Sequence, residues 1–131
     1  MAGKKKALRP ATQAAFSLTR NAAHDLRRIY LRSRQEWGDA VADQYVADVY
    51  SAIKAAAENP QMGRLRQLRS TPFSMTAVRR HFIIYDAAPE GIVILAIQHQ
   101  VRDIEALVAE FTPAFHAEVE RLKKRAQSKK S

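Results

Sequence analysis

Six consecutive residues, Ile92-Val93-Ile94-Leu95-Ala96-Ile97, are apolar, and Gly91 and Gln98-His99 bound them. The run is far too short to cross a membrane, which takes about 20 apolar residues. A strand with no polar side has to be covered on both faces, so it belongs in the middle of a layered domain. Just upstream, Val78-Arg79-Arg80-His81-Phe82-Ile83-Ile84-Tyr85 reads as a basic turn followed by a strand over His81 to Asp86. Ala87-Ala88-Pro89-Glu90-Gly91 supplies the turn between that strand and the apolar one. Phe73 to Val78 is a third strand candidate, and Phe16-Ser17-Leu18 a short one near the start. Residues 60–72 contain Pro60, Gly63 and Pro72 and read as an exposed loop.

Between the first strand and that loop, the apolar spacing is helical. Ala22, Leu26, Ile29, Tyr30 and Trp37 fall on one face of a helix from Arg20 to about Glu36, with Thr19 placed to cap it. Gly38 breaks this helix, and Asp39 is placed to cap a second one. Val41, Tyr45, Val49, Ala52, Ile53 and Ala56 give the second helix its face, and Pro60 ends it at Asn59. Two amphipathic helices joined by so short a break form an antiparallel hairpin, which should lie on one face of the sheet. Trp37, Tyr45 and Tyr85 are read as core or helix-corner anchors. After Asp103, the set Ile104, Leu107, Val108 and Phe111 returns to helical spacing. Thr112-Pro113 interrupts it and can restart a helix as N-cap and first residue, with Phe115, Val119 and Leu122 on its apolar face.

Charge excludes some function classes and leaves others open. The net charge is +9, but Lys4, Lys5, Lys6 and Arg9 at one end and six cations from Arg121 to Lys130 at the other account for it. The body between them carries 12 basic and 13 acidic residues and is close to neutral. Solvated basic ends keep a protein soluble and can touch a polyanion, but neither tail has the interleaved aromatics that stack bases. Within the body, Arg64, Arg66, Arg69, Arg79, Arg80 and Arg102 face only Asp86 and Glu90 over residues 63–102. A basic surface of this kind suits an acidic peptide or phosphates. With no cysteine there is no disulfide or thiolate metal site, and the four histidines lack ligand spacing, so neither metal nor cofactor is expected. Without an apolar segment behind the basic start, the chain reads as cytoplasmic.

The order helix, helix, basic turn, strands, together with local motifs, resembles the ParE branch of the ParE/RelE toxin superfamily. The motifs are Leu18-Thr19 with Ala22, Asp25-Leu26 and Ile29; Trp37-Gly38; Tyr45; Glu58-Asn59-Pro60 with Gly63-Arg64; His81-Phe82-Ile83-Ile84-Tyr85; and His99-Gln100 with Arg102-Asp103. They span about residues 16–108. The resemblance implies an α+β fold of order β-α-α-β-β-β, with an N-terminal helix hairpin packed on a small, mostly antiparallel sheet and a helix at the C-terminus. The implied toxin domain is 15–108; residues 1–14, with a lysine run, one proline and little periodicity, read as a basic disordered arm, and 109–131 as a helical extension with a basic tail, both extra to the common pattern.

The resemblance further implies the toxin of a type II toxin–antitoxin system, one kind of which stabilises plasmids. The implied partners are a cognate ParD-like antitoxin with an acidic tail, in a heterotetramer with the toxin, and DNA gyrase as target; no membrane is involved. In that reading the chain inhibits by binding and has no catalytic residues. Arg64, Arg66, Arg69, Arg79, Arg80, Phe73, His99 and Arg102 are then the candidates for target or antitoxin contact. The alternative is the RelE branch, which cuts messenger RNA in the ribosome. That chemistry needs a base for the 2′-hydroxyl, cations for the charged transition state and an acid for the leaving group, for which His99, His81, Arg79 and Arg80 are available. The RelE pattern places a tyrosine shortly after the position of His99, and no tyrosine follows it here. His99-Gln100 at that place resembles ParE. Two further readings are an inactive relative and an unrelated basic domain that binds nucleic acid through its tails. The ParE pattern often has an aromatic-arginine pair entering the first strand after the loop. Phe73-Ser74 keeps the aromatic and lacks the arginine, for which Arg69 or Arg79 would have to substitute. An exposed sheet face with a basic rim would accept the antitoxin's acidic peptide. The apolar face of the C-terminal helix would compete for it, so deleting residues 109–131 should tighten antitoxin binding.

Overall fold

The computed structural model describes residues 15–68, 71–89, 91–100 and 103–130. The arm assigned to residues 1–14 lies outside them, as do Arg69 and Arg102. In chain order the elements are β1 (Ala15–Leu18), α1 (Arg20–Trp37), α2 (Asp39–Glu58), a 3-10 turn (Pro60–Met62), β2 (Arg64–Leu68), β3 (Thr71–Val78), β4 (His81–Ala88), β5 (Gly91–His99), α3 (Ile104–Ala109) and α4 (Pro113–Lys130). The fold is α+β, with the expected helix hairpin, mostly antiparallel sheet and C-terminal helix. One strand was not foreseen. Arg64 to Leu68, read as loop, pairs antiparallel with β3 and makes a five-stranded sheet in the order β1-β5-β4-β3-β2. β2 is an edge strand with Arg64, Leu65, Arg66 and Gln67 all exposed, so it has no apolar face to betray it; its backbone ladder holds it in place.

The all-apolar run lies in β5, between parallel β1 and antiparallel β4, and is covered on both faces. On one side Ile92, Ile94 and Ile97 pack with Ile83 and Tyr85 against Leu26, Ile29, Tyr45, Val49 and Ile53 of the hairpin. On the other, Val93, Leu95 and Ala96 pack with Phe73, Met75 and Ile84 beneath Phe115 and Val119 of α4. A β-bulge makes this division possible. Ile84 opposes Ala96 and Tyr85 opposes Ile94, so Leu95 is the extra residue and the alternation slips by one. The expected bare sheet face is therefore occupied by the chain's own C-terminal helix.

Thr19 locks the β1–α1 junction onto the bulge. Its Oγ1 accepts the Ala22 N–H at 3.0 Å, as an N-cap should, and donates to the Leu95 carbonyl at 3.0 Å. Where β1 stops, the edge of β5 is completed by a side chain. Asp25, 5% exposed, accepts the Ile97 N–H at 3.0 Å and the Gln98 side-chain amide at 2.9 Å. Gly38 joins the two helices at φ 92°, a conformation that disfavours any side chain, and its N–H closes α1 onto Arg34. Gly38 is also the N-cap of α2, so Asp39 is the first helical residue and makes no cap; it faces Arg34 at 3.4 Å. Ala42, not Val41, turns inward at the start of α2, where Val41 is 42% exposed. Tyr45 and Tyr85 are core, but Trp37 stands at the helix corner 53% exposed.

Candidate functional site

An open groove of about 1400 Å³ runs along the outer side of α1 to the far end of β4 and β5. Arg28, Arg32 and Trp37 line it from α1, Tyr45 from α2, and Arg80, His81 and His99 from the sheet. Pairing of His81 with His99 across β4 and β5 sets the two imidazoles on the hairpin side of the sheet, with ring centroids 5.3 Å apart. His81 Nδ1 is 2.7 Å from the Tyr45 hydroxyl, which also accepts the Arg80 N–H at 3.3 Å. The network closes when Tyr45 donates to an unprotonated Nδ1 and the imidazole carries its proton on Nε2. Burial, and secondarily the nearby His99, pushes His81 down to about 4, so the ring is neutral at neutral pH.

Arg79 occupies a left-handed backbone position, φ 52°, in the β3–β4 turn. Its guanidinium donates from Nε to Asp48 at 2.7 Å and lies 5.0 Å from the centre of the Tyr45 ring. Hydrogen bonds from Gln44 and from Arg79 hold the Asp48 carboxyl below the usual carboxylate value. Gln100 fastens the same turn: its N–H donates to the Arg80 carbonyl at 2.9 Å and its amide to the Arg79 carbonyl at 3.0 Å. Within the His99-Gln100 pair, then, the glutamine is a structural tie for the basic turn, while His99 faces the groove.

The candidate residues divide between two surfaces. Arg80, His81 and His99 meet in the groove, and Arg79 is clamped beside it. Arg64 and Arg66 belong elsewhere. They oppose Met75 and Phe73 across the β2–β3 ladder, so they share the sheet face that α4 covers. Phe73 itself is 1% exposed and packed in that second cluster. Sequence reasoning missed Asp48, the partner of Arg79, and named Asp25 among the motifs without giving it a role. The spacing of Asp48 from Tyr45 on one turn of α2 is the only signal that could have flagged it. Among the described residues there is no grouping of three or more side chains able to hold a metal ion, and no helix long and apolar enough to cross a membrane.

A family model described as the ParE toxin of the type II toxin–antitoxin system parDE matches residues 16–104. Toxin ParE1 of Caulobacter vibrioides is 28% identical over 91 residues, covering 70% of this chain and 94% of its own. Toxin ParE1 of Mycobacterium tuberculosis is 26% identical over 91 residues, covering 69% and 93%. A solved structure described as the chromosomal ParDE TA system from P. aeruginosa contains a chain that superposes with a TM-score of 0.57 at 21% identity. It covers 67% of this chain and 97% of that one, a likeness of fold.

Proposed function

Because this chain belongs to the ParE toxin family of type II toxin–antitoxin systems, we propose that it inhibits DNA gyrase by binding it. A cognate ParD-like antitoxin with an acidic tail neutralises it, in a toxin–antitoxin heterotetramer in the cytoplasm. The observation that carries the binding reading over the ribonuclease one is the state of the basic turn. Arg79 is engaged by Asp48 and by the face of Tyr45, and His81 is spent on the Tyr45 hydroxyl. Burial, with His99 nearby, keeps the His81 ring neutral at neutral pH, which makes it a poor general acid there. These contacts favour a stiff recognition surface, in which Arg80, His99 and the exposed Trp37 offer charge and an aromatic anchor to a protein partner.

The test is induction of the full chain in a bacterium lacking the neighbouring antitoxin gene, with supercoiling by purified gyrase followed in parallel. Continued protein synthesis in filamenting cells, with supercoiling inhibited in vitro, is the expected result. A collapse of synthesis within minutes, with gyrase unaffected, would replace this reading with messenger RNA cleavage centred on His81, His99 and Arg80.

A further inference from the structure

The cations that set the net charge stand at opposite ends of the sequence, and the fold brings those two segments to one edge of the sheet. Two contacts give α4 its direction. Glu118 accepts the N–H of Arg20, the first residue of α1, at 2.8 Å. That junction sits beside Ile94 and Leu95, whose carbonyls Thr19 binds. Five residues on, Lys123 meets Asp86 of β4 at 2.6 Å, and Asp86 pairs with Val93. α4 therefore runs opposite to β5, toward Gly91. It continues to Lys130, about 10 Å past Lys123, whereas Gly91 lies only about 7 Å past Val93. Gly91 is also the partner of Ala15, so the segment holding Lys4, Lys5, Lys6 and Arg9 joins the body at this same edge. Arg9 is six residues from Ala15 and cannot be more than about 20 Å from it.

We propose that this edge is a grip for double-stranded DNA, built from the outward stripe of α4 and the basic segment before β1, and that it holds phosphates without reading sequence. Arg121, Lys124 and Arg125 are exposed and stand at the spacing of neighbours on a helix surface. Arg125 follows Glu118 by two turns and so lies on the β1 side of α4, nearest the point where the basic segment enters. Lys123 is held by Asp86 and by Glu120 at 3.6 Å, and is not counted in the grip. Those two carboxylates are thereby engaged, and Glu118 is engaged by Arg20. Glu90 is the one acid in the β4–β5 turn, and residues 1–14 and 121–131 contain none. Cations gathered in this way raise the local concentration of a polyanion.

The surroundings choose among polyanions. A protein partner needs apolar or aromatic anchors as well as charge. The exposed large apolar side chains among the described residues are Leu31, Trp37, Val41, Met62 and Leu65, and none lies on α4, β1 or β5. The apolar face of α4 is used on the sheet, by Phe115, Val119 and Leu122. A bilayer surface is disfavoured for the same reason, since nothing apolar is left to enter it. Single strands are held by bases stacked on aromatic rings, and neither basic segment contains a Phe, Trp or Tyr besides those packed side chains. A duplex offers a dense, regular line of phosphates and asks only for cations. The groove at His81 and His99 lies at the other end of β4 and β5, roughly 20 Å away, so it stays open while DNA is held. DNA binding is a property of the chain by itself and does not depend on the gyrase reading.

The test is fluorescence anisotropy of a labelled duplex of arbitrary sequence, titrated with the full chain between about 50 and 200 mM salt. Each phosphate contact contributes about −0.9 to the slope of log affinity against log salt, so the parent should show a slope of about −5 or steeper. Replacing Arg121, Lys124 and Arg125 together by Gln, a good helix former, should weaken binding at least ~10-fold and make the slope shallower by about 3. Replacing Lys4, Lys5 and Lys6 together by Gln should do about the same. A control of equal charge, Arg27, Arg34 and Lys54 on the helix hairpin all replaced by Gln, should leave the slope unchanged. The proposal is overturned if the hairpin control loses as much as the α4 variant, or if only one of the two basic segments matters. It is also overturned if the parent binds a single strand of the same length, or phosphatidylserine vesicles, more tightly than the duplex. Should the α4 variant unfold by circular dichroism, the arm variant and the parent's slope still decide: a parent slope near zero sinks the grip.

Discussion

Replacing Asp25 with alanine removes an acceptor from the one place where β5 has run out of neighbouring strand. Beyond Leu18 there is no β1 residue to pair with, and the Ile97 N–H is satisfied by Asp25 Oδ2 at 3.0 Å. The same carboxylate takes the Gln98 amide at 2.9 Å and Arg28 at 2.6 Å. In Asp25→Ala the Arg28 head, on a side chain 63% exposed, returns to water at little cost. The Ile97 N–H cannot, because Ile97 is 2% exposed, and an orphaned buried donor costs about 1–3 kcal/mol. Adding the lost charge-assisted bonds brings the expected destabilisation to about 3 kcal/mol. At the usual unfolding entropy per residue, a chain of this size should then melt about 10 °C lower. Asp25→Asn keeps an acceptor for Ile97 and gives up only the ion pair, so it should lose about 1 kcal/mol. Urea and thermal denaturation followed by circular dichroism give both numbers, and hydrogen exchange at Ile97 tests the cause. An alanine variant within 1 kcal/mol of the parent, or an asparagine variant as damaged as the alanine one, would refute the account.

Acid should weaken the fold through His81. Its folded value of about 4 lies below the unfolded 6.5, so the unfolded chain takes up the proton first as pH falls. The stability associated with the neutral ring is complete above 6.5 and is lost as pH drops through 4. After discounting for partial solvent screening, about 2 kcal/mol should disappear. His81→Gln should flatten that part of the urea-midpoint profile between pH 7 and pH 4; a profile unchanged by the substitution would contradict it. Tyr85 closes the other end of the sheet, donating to the Pro60 carbonyl at 2.7 Å and accepting the Gly63 N–H at 3.0 Å. Burial raises its pKa, against the hydrogen bonds from Gly63 and Ser74, which keeps the phenol neutral. Tyr85→Phe should cost about 2 kcal/mol in chemical denaturation. Gly63→Ala should cost at least as much, because a Cβ there runs into the Tyr85 hydroxyl and the Met75 carbonyl. If Gly63→Ala is harmless in the parent, the turn is looser than these contacts imply.

Much of this architecture can be read from the chain alone because its signals are periodic. Ala22, Leu26 and Ile29 on α1, and Tyr45, Val49 and Ile53 on α2, recur at helical spacing and are the residues that pack on the sheet. Thr19 and Gly38 mark helix ends by local geometry, which needs no tertiary partner. β2 was missed because Arg64 to Leu68 alternates without an apolar face to bury, and only its pairing with β3 makes it a strand. Of the two places open to Trp37, core or helix corner, it takes the corner, because helical periodicity says which residues share a face and not which of them are covered.

The candidate site was legible in parts and scattered in the chain. Arg79, Arg80, His81 and His99 stand out as charged or titratable residues at strand ends. That Arg79 is occupied by Asp48, and His81 by Tyr45, depends on how α2 crosses the strand ends, which no spacing reveals. The apolar run from Ile92 to Ile97 determined by itself that β5 must be covered twice, because a strand without polar positions cannot face water. Only the tertiary structure decided which residue looks which way. The bulge at Leu95 breaks the alternation inside a run where every residue is equally apolar, so burial free energy alone could not fix the register. Likewise, hydropathy gives α4 an apolar face but not its seat; the space left by β3, β4 and β5, and the carboxylate of Asp86, decide that.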